Sequence, residues 1–256
     1  MSARVVIIVQ ARMTSSRLPG KVLMPLSGRP ALARLMWRMR TVRGAADAVV
    51  ATSEAPSDDA LADLCKREGF PCMRGSLDDV LSRYHAAARA ARADVVVRVT
   101  GDCPLHDPGV VDRAIALFQA ESAHVDYVSN VDERTYPDGL DVEVCSFAAL
   151  DQAQRYAHTA FEREHVTPYL RRHFRKRTLA QEVDLSDLRW TLDYREDYQI
   201  IGAIYQALGE GFGARQVYEL LIERPNLILT AARRPLTAAE IGDVQARITQ
   251  LIAEET

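Results

Sequence analysis

The sequence has no apolar stretch near eighteen residues and no charged segment leading into an apolar one, so neither a membrane span nor a signal peptide is expected. A cytoplasmic location is the expectation. It also lacks an excess of charge of one sign: 32 basic against 35 acidic residues leave a formal charge of −3. A general nucleic-acid binder, whose domain is usually basic, is thereby disfavoured, while small anionic ligands stay compatible because local clusters decide those. Cysteine is scarce, at 65, 72, 103 and 145, with no C-x-x-C spacing, and a chain of 256 residues needs no disulfide staples. Reduced, mostly buried thiols are expected, Cys103 among them as a small apolar filler rather than a nucleophile. There is no Walker spacing G-x-x-x-x-G-K-[ST], no Cys/His zinc pattern, no nucleophile elbow, no Ser-His-Asp order, no internal repeat and no low-complexity tract. Lysine is nearly absent, occurring only at 21, 66 and 176.

What is present begins with the apolar run Val5 to Val9, which opens directly into Gln10-Ala-Arg-Met-Thr-Ser-Ser-Arg-Leu-Pro-Gly-Lys-Val-Leu23. Ser, Gly and Pro turns free backbone N–H groups to form an anion-binding concavity, and Arg12, Arg17 and Lys21 supply the neutralising charge. The compact ammonium of Lys21 suits a triphosphate approached as a point charge. The bland alternative is a surface turn whose arginines face water.

Further apolar runs at Ala48 to Ala51, Val95 to Val99 and Tyr127 to Val128 alternate with helical patterns at Pro30 to Arg43, Asp58 to Glu68, Asp79 to Arg92 and Pro108 to Ala120. Continuous apolar strands between helices predict a doubly wound α/β fold with a mostly parallel sheet and ligands at the carboxyl ends of the strands. The alternation lapses over residues 131–189, where a strand around Leu140 to Val144, a helix from Phe147 to about Ala157 and a basic helix after Pro168 suggest a small acceptor-side lobe or dimer arm within a single 1–256 domain. Leu188 to Leu192 resumes a strand pattern, and helices are expected over Asp197 to Leu208 and Ala238 to about Ala253.

Asp102 follows the Val95 strand in a Gly-Asp-Cys-Pro turn, and Asp193 leaves the Leu188 run at the same predicted edge. Carboxylates so placed beside a phosphate loop are candidate Mg²⁺ ligands, since magnesium takes one or two protein carboxylates and completes its shell with phosphate and water. Each could instead form an Asx turn or a helix cap, with Asp197 the residue able to displace Asp193. Asp141 and Glu143, spaced two apart in Tyr136-Pro-Asp-Gly-Leu-Asp-Val-Glu-Val144, would share one strand face and accept hydrogen bonds from sugar hydroxyl or amino groups; a half-exposed strand gives the same pattern.

The segment Gln10 to Leu23 resembles the N-terminal signature of cytidylyltransferases that activate acidic sugars, in particular the branch of spore coat polysaccharide biosynthesis protein F, with acylneuraminate and 3-deoxy-manno-octulosonate cytidylyltransferases as wider relatives. Arg74-Gly-Ser-Leu-Asp-Asp-Val-Leu-Ser-Arg-Tyr84, Thr100-Gly-Asp-Cys-Pro-Leu105, Tyr136 to Val144, Arg163-Glu-His-Val-Thr-Pro-Tyr169 and Arg189-Trp-Thr-Leu-Asp-Tyr-Arg-Glu-Asp197 extend the resemblance in order to about residue 200. It implies a Rossmann-like nucleotidyltransferase with a core like that of nucleotide-sugar glycosyltransferases, using CTP and Mg²⁺. Ala11, Arg12, Ser16, Arg17 and Lys21 would meet the nucleotide phosphates, and Arg74, Gly75, Ser76 and Arg83 the base and ribose. Asp102 and Asp193 would hold metal, and Asp138, Asp141, Glu143 and His165 would face the acceptor. Catalysis would rest on Arg12, Lys21, Asp102 and Asp193. A homodimer built partly through residues 145–178 is the implied assembly. A glycosyltransferase would normally show Asp-x-Asp, but Pro104 stands where the second acid belongs; a non-catalytic nucleotide-binding protein would lack metal or triphosphate ligands, and all are present.

Overall fold

The structure, a computed structural model, describes residues 3–254. Its strands are β1 (Val5–Gln10), β2 (Pro25–Leu26), β3 (Arg29–Pro30), β4 (Asp47–Ser53), β5 (Cys72–Gly75), β6 (Val95–Thr100), β7 (Tyr127–Ser129), β8 (Glu143–Ser146) and β9 (Lys176–Thr178). The helices are α1 (Ala31–Met39), α2 (Asp59–Glu68), α3 (Val80–Ala90), α4 (Pro108–Ala120), α5 (Phe147–Tyr156), α6 (Ala160–His165), α7 (Pro168–His173), α8 (Arg195–Leu208), α9 (Ala214–Glu223) and α10 (Ala238–Glu254). Seven strands form one sheet in the order β5-β4-β1-β6-β8-β7-β9, while β2 and β3 make a separate hairpin. β8 alone runs antiparallel to its neighbours β6 and β7; the other pairings in the large sheet are parallel.

Both faces of this sheet are covered, which is why its strands read as unbroken valine and isoleucine. Val5, Ile7, Val9, Val95, Val97 and Val99 point to one face, against α1, α2, α4 and the C-terminal helices; Val6, Ile8 and Val96 point to the other, against α3 and α5. α4 spans the residues its pattern predicted because its start is doubly marked, by Pro108 in the first turn and by Asp107, whose carboxylate accepts the Gly109 amide. Among the described residues no helix is long and apolar enough to cross a membrane.

Two expected strands are corrected. Residues 188–192 pair through isolated bridges, Leu188 with Thr230 and Asp138 with Arg189, because their backbone partners lie in loops: Arg189 donates to Leu229 and Leu192 to Asp102. The strand expected from Leu140 begins at Glu143, because the Asn130 side chain takes up the Leu140 carbonyl and the Val142 amide and so replaces a ladder there. The outermost strands β5 and β9 left no apolar signal, as exposed edges carry polar residues. Residues 131–189 place β8 and β9 in the main sheet, while α5 packs on α3 and on α7.

Candidate active site

The parallel strands β1 and β6 end side by side, and the loops that leave them form the floor of a cleft of about 380 Å³. Gly101 makes this approach possible: its amide donates to the Gln10 carbonyl at 2.7 Å, and a Cβ there would sit 2.7 Å from the same oxygen. Asp102 therefore emerges beside the loop of residues 11–20. That loop closes through Gly20, in the left-handed region at φ 72°, into a 3-10 turn over Lys21–Leu23. The third wall comes from the far end of the chain, where the Leu192 amide donates to the Asp102 carbonyl at 2.8 Å and sets Asp193 next to it.

At the floor, the Lys21 ammonium, 6 % exposed, donates to Asp102 Oδ2 at 2.5 Å and to Asp193 Oδ1 at 2.7 Å. Burial pulls the Lys21 pKa down, but the charge and hydrogen bonds of Asp102 and Asp193 outweigh it and hold the group above its ordinary value. Burial likewise opposes ionisation of Asp193, and bonds from Lys21 and Arg189 with the charge of Arg17 overcome it, keeping the carboxyl below the usual range. Arg17 reaches Asp193 Oδ1 at 2.7 Å. Arg189 spreads its fork over Asp193 at 2.6 Å, Asp138 at 2.7 Å and Asp197 at 3.3 Å. Asp197 in turn accepts the Asp193 and Tyr194 amides at 2.7 and 2.9 Å, so it fixes the start of α8 and leaves Asp193 free to face the cleft.

Asp138 and Asp141 also line the cleft, with Thr191, Glu164 and His165. Gly139, at φ 114°, lies so close to the 190–191 peptide that a Cβ would come within 2.6 Å of the Trp190 carbonyl carbon. This contact presses Asp138 against Thr191, whose hydroxyl donates to it at 3.0 Å. Burial and the neighbouring Asp141 push the Asp138 pKa up, while Arg134 grips Asp141 with two bonds of 2.9 and 2.8 Å. Glu164 and His165 are exposed at the rim, at the end of α6, and Glu164 faces Arg12 at 3.8 Å across the cleft. Val166, just behind them, holds φ 70° and ψ −55°, a costly conformation for a β-branched residue, and the tight turn it makes directs the rim residues inward.

Of the residues singled out from the sequence, Ala11, Arg12, Ser16, Arg17, Lys21, Arg83, Asp102, Asp138, Asp141, His165 and Asp193 line this one cleft. Arg74, Gly75, Ser76 and Glu143 do not. Arg74 turns back to the Ser53 and Ala55 carbonyls and to Asp59. The Ser76 carbonyl accepts Arg83 Nη1 at 2.7 Å, so the 74–76 turn serves the cleft by aiming Arg83 rather than by lining it. Glu143 is 4 % exposed and accepts from Arg98 and Tyr127 beneath the sheet. Only Asp141 of that pair reaches the cleft, because the chain does not become a strand until Glu143. Cys103 is buried, and burial drives its thiol well above the ordinary range, which suits the filler reading. Arg189, which organises three carboxylates, had a sequence signal that went unread: it stands four and eight residues before Asp193 and Asp197.

Among the described residues no group of three or more His, Cys, Asp or Glu side chains is placed to hold a metal ion alone. Asp102 and Asp193 nevertheless converge on a single cationic atom, Lys21 Nζ. Two hard oxygen donors meeting at one point, in a cleft open to phosphate and water, fit magnesium's preference for few protein ligands.

Comparison with known proteins agrees with this geometry. The family model described as cytidylyltransferase matches residues 6–205. The spore coat polysaccharide biosynthesis protein SpsF of Bacillus subtilis is 34 % identical over 234 residues, covering 87 % of this chain and 95 % of that protein. A cytidylyltransferase structure from Leptospira borgpetersenii superposes with a TM-score of 0.86 at 30 % identity, over 92 % of this chain and 99 % of the other. The fold alone is shared with a CMP:2-keto-3-deoxy-manno-octonic acid synthetase solved with CTP, at a TM-score of 0.61 and 17 % identity over 80 % of this chain and 99 % of that one. A chain whose strand-end loops gather lysine, arginine and paired aspartates in this way, and which these proteins match over most of its length, is a nucleotidyltransferase and belongs to the cytidylyltransferase family.

Proposed function

We propose that this enzyme transfers CMP from CTP to an acidic sugar, releasing pyrophosphate, with Mg²⁺ as its cofactor. The observation that carries the reading is Lys21 bridging Asp102 and Asp193 at the floor of a cleft flanked by Arg12, Arg17 and Arg83. Arg12 and Arg17 are about half exposed at their side chains and free to swing from Glu164 and Asp193 onto a triphosphate. Asp102 and Asp193 would hold the metal, which when bound would neutralise phosphate charge and lower the pKa of the attacking hydroxyl. The chain itself supplies alignment and charge: the arginines and Lys21 orient the α-phosphate, and Asp138, Asp141, Thr191 and His165 face the acceptor. A protein of the same fold solved with CTP supports the choice of nucleotide. A cytoplasmic enzyme acting on small molecules, without nucleic acid as a partner, follows from the same reading.

The discriminating experiment is a thermal-shift series with CTP, UTP, ATP and GTP, each with and without Mg²⁺. A ligand that binds only the folded state raises its melting temperature by mass action, by about 2.7 kcal/mol of stability at a hundred times Kd. The expected result is a shift of several degrees selective for CTP and enlarged by metal, with pyrophosphate release once an acidic sugar is added. Equal shifts for all four nucleotides, or none, would sink the proposal.

We also propose a homodimer built partly through residues 145–178. Tyr156, the last residue of α5, and Phe161, in the first turn of α6, are 56 % and 59 % exposed, apolar surface of the kind a second copy would cover. Light scattering should give twice the mass of one chain; a monomer at micromolar concentration would remove the assignment.

A further inference from the structure

Asp58 is a wholly buried carboxylate, 0 % exposed, at the residue before α2. It takes part in no ion pair among the described residues, and its contacts are neutral donors: the Met13 amide at 2.8 Å, Thr52 Oγ1 at 3.1 Å, the Ser53 amide at 3.1 Å and Ser53 Oγ at 2.5 Å. A buried carboxylate is tolerated only when its oxygens are hydrogen-bonded, as both are here. The arrangement costs more than an apolar residue would and needs a reason.

The reason lies in which elements the donors belong to. Met13 is in the phosphate loop, and the others close the end of β4. The loop is otherwise tied to β4 by the Ala11 amide on the Ala51 carbonyl at 3.2 Å. Ser53 and its neighbour then carry the connection onward, since the Ser53 carbonyl accepts Arg74 Nε at 2.8 Å and the Glu54 amide donates to Gly75 at 2.8 Å. One carboxylate thus joins the loop bearing Arg12 and Arg17 to the turn that aims Arg83. We infer that Asp58 is a positioning residue for the nucleotide: by holding the Met13 amide it fixes the angle at which residues 12–17 leave β1, and so where the two arginines meet the triphosphate. The inference rests on the CTP site proposed above.

Asp58→Asn tests it. The amide keeps the shape but has one acceptor oxygen in place of two, so it cannot hold the Met13 amide and the Ser53 amide at once and the tie between the loop and β4 is broken. The expected result is a rise of at least about tenfold in KM for CTP, the size of one charge-assisted hydrogen bond, with a smaller change in kcat. Ser53→Ala removes a different donor from the same carboxylate and should lower the melting temperature while leaving KM for CTP unchanged. An unchanged KM in Asp58→Asn, or increases in both variants that merely follow their loss of stability, would overturn the inference. Amide exchange in the wild-type protein gives a reading independent of variants and of CTP: the Met13 amide should be protected to a degree close to the amides of β1, and rapid exchange there would also overturn it. If the wild-type enzyme fails to bind CTP while Met13 is protected, the nucleotide assignment falls and the loop anchor stands.

Discussion

Lys21→Ala should lower CMP transfer by about a hundred- to a thousandfold, the scale seen when one preorganised charge-stabilising group is removed. Two losses combine. The triphosphate would lose the cation at the floor of the cleft, and Asp102 and Asp193, which now share one ammonium at 2.5 and 2.7 Å, are left facing each other. Removing one partner from a buried ion pair destabilises because the remaining charge stays desolvated, so the melting temperature should also fall. The deficit has a defined pH dependence. Lys21 is held above its ordinary value of 10.5, so its contribution is fully present below that pH and disappears as the pH rises through the higher folded value. Wild type and variant should therefore converge in melting temperature only in strong alkali. The vacated pair of carboxylates should also make the variant more responsive than wild type to Mg²⁺ in the absence of nucleotide, a readout that needs no turnover. A variant with wild-type activity would place the chemistry elsewhere.

Asp102→Asn isolates the other half of the floor. Asp102 is the more accessible of the two carboxylates, 24 % exposed against 6 % for Asp193, and Lys21 keeps Asp193 as a partner in its absence. The fold should survive. CTP should still bind without metal through the arginines, but the gain on adding Mg²⁺ should vanish, and turnover should drop at least about a hundredfold, the loss of a few kcal/mol of charge stabilisation. Isothermal titration with and without the ion checks the first part; a preserved metal effect would move the ligand to another residue.

How much of this was legible beforehand depended on how local the cause was. β1, β4 and β6 are buried on both faces and announced themselves as valine runs, and the cap and proline of α4 stated its boundary outright. Lys21 and Asp102 could be named because the loops leaving parallel strands such as β1 and β6 are where such a sheet gathers its ligands, whereas Asp193 was reached through an apolar run that reads as a strand but pairs only through isolated bridges. Other roles were set by partners distant in the chain. Glu143 alternates with apolar residues just as a solvent-facing acid would, and only Arg98 and Tyr127 closing over it reveal that it is internal. Arg74 sits in a segment whose neighbours serve the cleft, yet it points back to β4. Asp58 enters the sequence pattern only as the first residue of a helix, and it is the fold that brings the Met13 amide, 45 residues earlier, onto it.

The insertion of β8 between β6 and β7 has a consequence for how the chain is made. A ribosome delivers residues in order, and once Thr100 has emerged the four strands β5, β4, β1 and β6 can assemble as a parallel unit. β7 follows in the chain but has no place beside β6, since that edge belongs to β8; it must wait for Glu143–Ser146 to arrive and then dock on its far side. The exposed edge of β6 stays unpaired over that interval, the condition under which nascent sheets are most prone to wrong partners. Asp193 arrives later still, so the Lys21 ammonium has only Asp102 to meet until the Leu192 amide docks on the Asp102 carbonyl. Vectorial synthesis thus completes the cleft only after Asp193 and the 229–230 segment that pairs with residues 188 and 189 have been made, and a shorter chain carries the 11–20 loop without its third wall.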